Sequence, residues 1–132
     1  TGSLPIDDTI PQKTEGAAYC SVSITPKAST NRLVLKGIAQ VGGNGAGTIC
    51  VTLVDTAIKD CLAAVAVTIP TANYQASIPI EHELEAGSTS ARTYQLRIGM
   101  AAGNTFFLNG ATSARLLGGK MGCRLWVEEI QA

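Results

Sequence analysis

From Ala18 to Ile130 the apolar residues of this chain recur at every second position, and no stretch carries the three-to-four spacing of a helix. That alternation restricts the chain to half-buried strands. Ala18, Cys20, Val22 and Ile24 share one expected face, with Tyr19, Ser21 and Ser23 on the other. A second strand is expected from Arg32 to Val41 and a third from Thr48 to Asp55. The alanine-rich Cys61–Ile69 suits a strand or a helical turn, and a strand is favoured because Val65, Val67, Thr68 and Ile69 are β-branched. The clearest alternation lies between Tyr74 and Leu84, with Ile78, Ile80, His82 and Leu84 facing one way. Pro79 has no N–H for a ladder bond, so this strand belongs at an edge or carries a bulge. Arg92–Met100 and Met121–Ile130 complete the long strands. About eight strands at intervals of about a dozen residues predict an all-β fold, an antiparallel β-sandwich of jelly-roll-like form.

Turn chemistry punctuates the pattern. Gly42–Gly47 reads as a hairpin loop, and Asn109-Gly110 is the strongest short hairpin signal because both residues accept positive φ. Residues 1–17 show no periodicity and include Gly2, Pro5 and Pro11, so they are expected to form an extended N-terminal arm ahead of a sandwich domain at 18–132. The start shows no basic region followed by an apolar one, so no secretory leader is expected. No run approaches the ~18 apolar residues of a spanning helix, so membrane insertion by a helix is not expected.

A monomeric sandwich should carry polar residues on its outward faces. Here several strands are apolar on both. Val34 and Ile38 oppose Leu33 and Leu35, Cys50 and Val54 oppose Ile49, Val51 and Leu53, and Trp126 and Ile130 oppose Leu125 and Val127. The second face must be covered, by another subunit or by loops of the same chain. Subunit association is favoured, which makes Val34, Ile38, Val54, Trp126 and Ile130 candidate interface residues. Composition agrees: 45% of the 132 residues are hydrophobic and only 15% are charged, with 10 basic and 10 acidic residues. Zero net charge argues against nucleic acid as a partner, since phosphate neutralisation calls for a basic face.

Chemistry is sparse. His82 is the single histidine, and its apolar strand neighbours suit a structural role. Gly118-Gly119-Lys120 lacks the Ser or Thr of a phosphate loop. Glu128 and Glu129 are adjacent on a strand and point to opposite faces, so they cannot share a substrate. Glu81, Glu83 and Glu85 form an outward acidic stripe, read as a solvated face. Cys20, Cys50, Cys61 and Cys123 contain no C-x-x-C pair, and zinc is not expected. They read as buried thiols of a chain made in a reducing cytoplasm, with two disulfides in one of three pairings as the alternative. No enzyme activity, cofactor or metal is expected. Tyr19, Asn44, Thr89, Arg92 and Asn104 lie at the strand edge or loop tips and are candidate surface contacts.

Several segments resemble a family. Ile6-Asp7-Asp8-Thr9-Ile10-Pro11-Gln12-Lys13-Thr14-Glu15-Gly16 is similar to the "IP-x-DDTIPQ-x-TEG" opening of a domain at the C-termini of tailed-phage and prophage virion proteins. Ile24-Thr25-Pro26-Lys27 with Asn31-Arg32-Leu33 resembles its "ITPKSATNKL" segment. Ala86-Gly87-Ser88-Thr89-Ser90 with Thr93–Gly99 resembles "AGTTS…T-(Y/F)-K-V-R-x-G". Leu108-Asn109-Gly110, Arg115, Gly118-Gly119, Met121 and the closing Glu129-Ile130 follow in order. Gly122-Cys123-Arg124 and Leu125-Trp126-Val127 depart from the usual Ser-Ser and Thr-Ile-Thr, and Cys20, Cys50 and Cys61 look particular to this chain. The resemblance implies a homotrimeric β-sandwich module of a virion appendage, a tail fibre, head fibre or spike. It implies assembly in the bacterial cytoplasm, linkage to other virion proteins through the arm, and attachment to the host surface, often through glycans. Two alternatives stand beside it: a purely architectural capsid-decoration or fibre-trimerisation domain, and a bacterial lectin-like adhesin domain.

Overall fold

A computed structural model describes residues 2–101, 105–111 and 114–132. Among these, seven long strands are β1 (Ala17–Ile24), β2 (Arg32–Gly43), β3 (Gly47–Asp55), β4 (Ala63–Ile69), β5 (Gln75–Glu85), β6 (Arg92–Met100) and, last in the chain, β10 (Arg124–Ile130). Three short ones precede the last: β7 (Phe106–Leu108), β8 (Gly110–Ala111) and β9 (Ala114–Arg115). All pairings between these strands are antiparallel. One sheet has the order β1-β6-β3-β4 and the other β10-β2-β5, with β7 extending β2 and β8 pairing β9.

The two sheets enclose one core, as the alternation demands. Leu33, Leu35, Ala39 and Val41 of β2 and Ile78 and Ile80 of β5 meet Ile49, Val51, Leu53, Tyr94, Leu96, Ile98 and Met100 of the opposite sheet. Leu96 stands against Gly37, where a side chain would collide with its methyl groups at 3.0 Å. β5 is an edge strand, so Pro79 costs no ladder bond on its free side.

Three local expectations are corrected. Gly42–Gly47 is not a hairpin loop: β2 and β3 belong to different sheets, so the turn carries the chain from one layer to the other. Asn109 does adopt positive φ (60°), but β7 pairs with β2 and β8 with β9, so Asn109-Gly110 is a corner between sheets and not a hairpin. Asn109 holds that corner with its N–H on Gln40, its carbonyl accepting from Leu116 and its Oδ1 accepting from Cys123. Ala18 also leaves its expected face. A bulge at Tyr19 pairs Ala18 with outward Arg97 but Cys20 with inward Leu96. Cys20, Val22 and Ile24 remain on the core side as expected.

The arm does not trail away. Leu4 is 1% exposed, its N–H donates to the Met100 carbonyl, and Ser3 bridges Met100. Gly16 donates back to the Ser3 carbonyl, while the Arg97 guanidinium clamps the Glu15 and Gly16 carbonyls at 2.8 Å. Further along, Cys61 donates to Pro11, Lys13 donates to Lys59, and the Lys13 ammonium reaches the Thr56 carbonyl. The arm thus lies over the outer face of β1-β6-β3-β4. Residues 5–10 stand away from it, with Ile6 and Ile10 exposed.

Candidate functional site

The outward side chains of the two sheets meet different surroundings. On β3, Cys50, Thr52 and Val54 face outward yet are buried. Val54 is therefore corrected as an interface candidate. It has no accessible surface, because this face is closed within the single chain by the arm and the β3–β4 connection that the arm bonds. Gly99 makes the close approach feasible: a Cβ there would lie 2.5 Å from that of Leu4.

Among the described residues, none covers the outer face of β10-β2-β5 in this way. Its register sets four rows across the three strands: Arg124–Ile38–Pro79, Trp126–Lys36–Glu81, Glu128–Val34–Glu83 and Ile130–Arg32–Glu85. Trp126 is 45% exposed and Ile130 48%, while Val34 and Ile38 on the central strand are half-buried. Four of the five expected interface residues thus share one continuous face. A shallow groove of about 580 Å³ runs along it, lined by Trp126, Lys36, Ile38, Pro79 and Glu81 and reaching Val65. The charges flanking the apolar positions are largely matched across strands, Lys36 beside Glu81 and Arg32 ion-paired to Glu83. A surface with apolar centres and locally neutralised charge loses little on desolvation. Completing the burial of a half-exposed Trp or Ile is worth about 1–2 kcal/mol each.

The surface-contact candidates do not converge. Tyr19 is exposed, standing edge-on to Phe106 at 5.9 Å, and Asn44 sits on the turn beside Thr105. Thr89 is exposed but precedes β6, whereas Thr105 follows it, so Thr89 and Asn44 lie at opposite ends of the sandwich. Asn104 lies outside the described residues. Arg92 is corrected: its guanidinium is engaged at 2.7 Å by Asp55, which is wholly buried, so it closes the core beside Tyr94 instead of reaching out. Burial pushes the Tyr94 hydroxyl up, with the Arg92 guanidinium acting in the opposite direction.

His82 pairs Leu35 on the inward side of the edge strand, half-buried. The Cys50 thiol is pushed up to about 11 by burial and by the charge of Cys61. Burial likewise raises Cys20, Cys61 and Cys123. These thiols are poor nucleophiles near neutral pH. Among the described residues no group of three or more His, Cys, Asp or Glu side chains is placed to hold a metal ion. Among them, too, no helix is long and apolar enough to cross a membrane. What the arrangement offers chemically is contact area. Compared with known protein families and with curated proteins, the chain matches none.

Proposed function

We propose that this chain is a non-enzymatic structural module of a tailed-phage virion appendage, of tail-fibre or head-fibre type. In this reading it trimerises by burying the outer face of β10-β2-β5 and serves attachment to the host surface, with assembly in the bacterial cytoplasm. The observation that carries the reading is the pairing of one outer face sealed by the chain's own arm with another that leaves Trp126 and Ile130 open beside Val34, Ile38 and Pro79. A closed three-fold ring would cover that face on every copy. The jelly-roll-like form expected of such a module draws support from the chain's repeated crossing between sheets, β1 to β2, β2 to β3, β4 to β5 and β5 to β6. The arm's exposed middle, residues 5–10, is the segment left for contact with other virion proteins. Host-glycan contact rests on the resemblance alone, since the expected contact residues are scattered over both ends.

Light scattering on the purified chain tests the assembly. Three times the 13.6 kDa chain mass is expected, falling to one chain mass in Trp126→Glu. A single chain mass for the unaltered protein at micromolar concentration would overturn the trimer. Retention of the trimer on host cells separates attachment from a purely architectural role.

A further inference from the structure

Two Asn-Gly dipeptides punctuate the chain, Asn44-Gly45 and Asn109-Gly110, and the fold treats them in opposite ways. We propose that Asn44 is a site of spontaneous deamidation, converting in water to aspartate and isoaspartate, while Asn109 is protected by its place in the fold.

The chemistry is local. The atoms that must meet are the carboxamide carbon of an asparagine and the backbone nitrogen of the next residue. Only the asparagine's own χ1 and ψ separate them, so no distant contact is needed. A Cβ on the following residue hinders the approach, and glycine has none. Reaction then requires a carboxamide free to turn, a following nitrogen not held as a donor, and room for a five-membered ring to close.

Asn44 meets these conditions. It is exposed on the turn between β2 and β3, outside both strands. Its own N–H donates to the Thr105 carbonyl at 3.2 Å, but among the described residues no hydrogen bond holds its side chain or the Gly45 N–H. A Cβ built on Gly45 would have nothing within 4 Å. Neither residue has positive φ, so turn geometry does not demand this dipeptide.

Asn109 fails them. Its Oδ1 accepts from the Cys123 N–H at 3.0 Å, its N–H donates to Gln40 and its carbonyl accepts from Leu116. Turning the carboxamide toward Gly110 breaks the bond to Cys123. Gly110 is buried and paired with Arg115, and a Cβ there would lie 1.8 Å from the Ala114 carbonyl oxygen. Reaction at Asn109 therefore waits for local opening of the corner. The other asparagines, Asn31, Asn73 and Asn104, precede Arg32, Tyr74 and Thr105, whose Cβ atoms hinder the same attack.

Base removes the Gly45 amide proton, and the nitrogen attacks Cγ of Asn44. A C–N bond forms to Gly45 while the bond from Cγ to the side-chain nitrogen breaks, and that nitrogen leaves as ammonia with the proton returned to it. Water then opens the succinimide at either carbonyl, giving aspartate or isoaspartate. One water is taken up and one ammonia released, with no change of oxidation state. The product is a carboxylate at neutral pH, so a chain with 10 basic and 10 acidic residues gains one net negative charge.

The full chain is held at physiological temperature and mildly alkaline pH. Samples taken over days are read by peptide mapping, with aspartate and isoaspartate peptides separated before mass analysis. Both products are expected at position 44, at a rate that climbs with pH, and conversion at Asn109 is expected to be at least about tenfold slower. In urea, where the corner is open, the two rates should approach each other. Equal rates in the folded chain would overturn the proposal, as would an Asn44 that stays intact over a period in which the unfolded chain converts. Gly45→Ala should slow conversion at Asn44 at least about tenfold without lowering the thermal midpoint, since the added methyl meets open space. An unslowed variant would overturn the cyclic route. The unaltered chain supplies the main answer by itself, so a variant that fails to fold leaves the test intact.

Discussion

The strands β2 and β3 carry the same kind of pattern, apolar on both sides, yet their outward side chains end differently. On β3, Cys50, Thr52 and Val54 are shut in beneath the arm; on β2, Val34 and Ile38 lie half-open beside an exposed Trp126. Small residues make the difference. Gly99 on the first sheet lets Leu4 lie against the backbone, and exposed Ala64 and Ala66 beside it leave little to cover. The second sheet presents bulk, Trp126, Ile130 and Pro79, and no segment among the described residues reaches across it. An apolar outward face therefore does not by itself signal a subunit interface. It signals a need for cover, which a short stretch of the same chain can meet where the strands are flat enough.

That contrast can be broken by substitution. The largest effect is expected at Leu4→Ala, which opens a cavity under the arm and should cost about 3 kcal/mol in urea unfolding. A cost near zero would mean the arm does not seal the face. Next comes Gly99→Ala, whose methyl meets Leu4 at 2.5 Å and should cost about 1–3 kcal/mol by displacing the arm. Protection of the Cys50 thiol from alkylation should fall with it. On the open face, Trp126→Ala should change the stability of the isolated chain by about 1 kcal/mol or less while abolishing association. A loss as large as that of Leu4→Ala would show that the chain covers its own tryptophan. The smallest effect belongs to neither face. Hydrogen bonds, first from Asn31 and then from the Lys27 backbone, hold the Glu129 carboxyl below its ordinary 4.5. A depressed folded value stabilises above the unfolded value, so this contribution is present above about pH 4.5 and disappears as pH falls through the folded value. Glu129→Gln should flatten that part of an acid titration without altering either face.

How much of this was legible follows the range of the interactions. The shared outward face of Val34, Ile38, Trp126 and Ile130 is legible because side-chain parity is local: neighbours on a strand point opposite ways wherever the strand goes. That Pro79 calls for an edge or a bulge is legible for the same reason, since the missing N–H belongs to the residue; the strand order selects the edge. Parity misled only at Tyr19, where one extra residue shifted Ala18 to the outer face, and no composition signal marks a bulge. Val54 was misjudged because its cover comes from a segment some 40 residues earlier, and Arg92 because its partner Asp55 sits on another strand. Leu4 was missed altogether: a lone leucine in an aperiodic arm carries no pattern.

Alternation and turn residues alone determined that this chain forms two-faced strands, which positions share a face, and that β5 lies at an edge or carries a bulge, because these depend on backbone geometry and on the residue itself. Only the tertiary structure decided which strands pair, that Asn109-Gly110 turns a corner instead of closing a hairpin, and which greasy face stays open. Those outcomes hinge on contacts between residues far apart in the chain, where many arrangements satisfy the same local pattern and packing selects one.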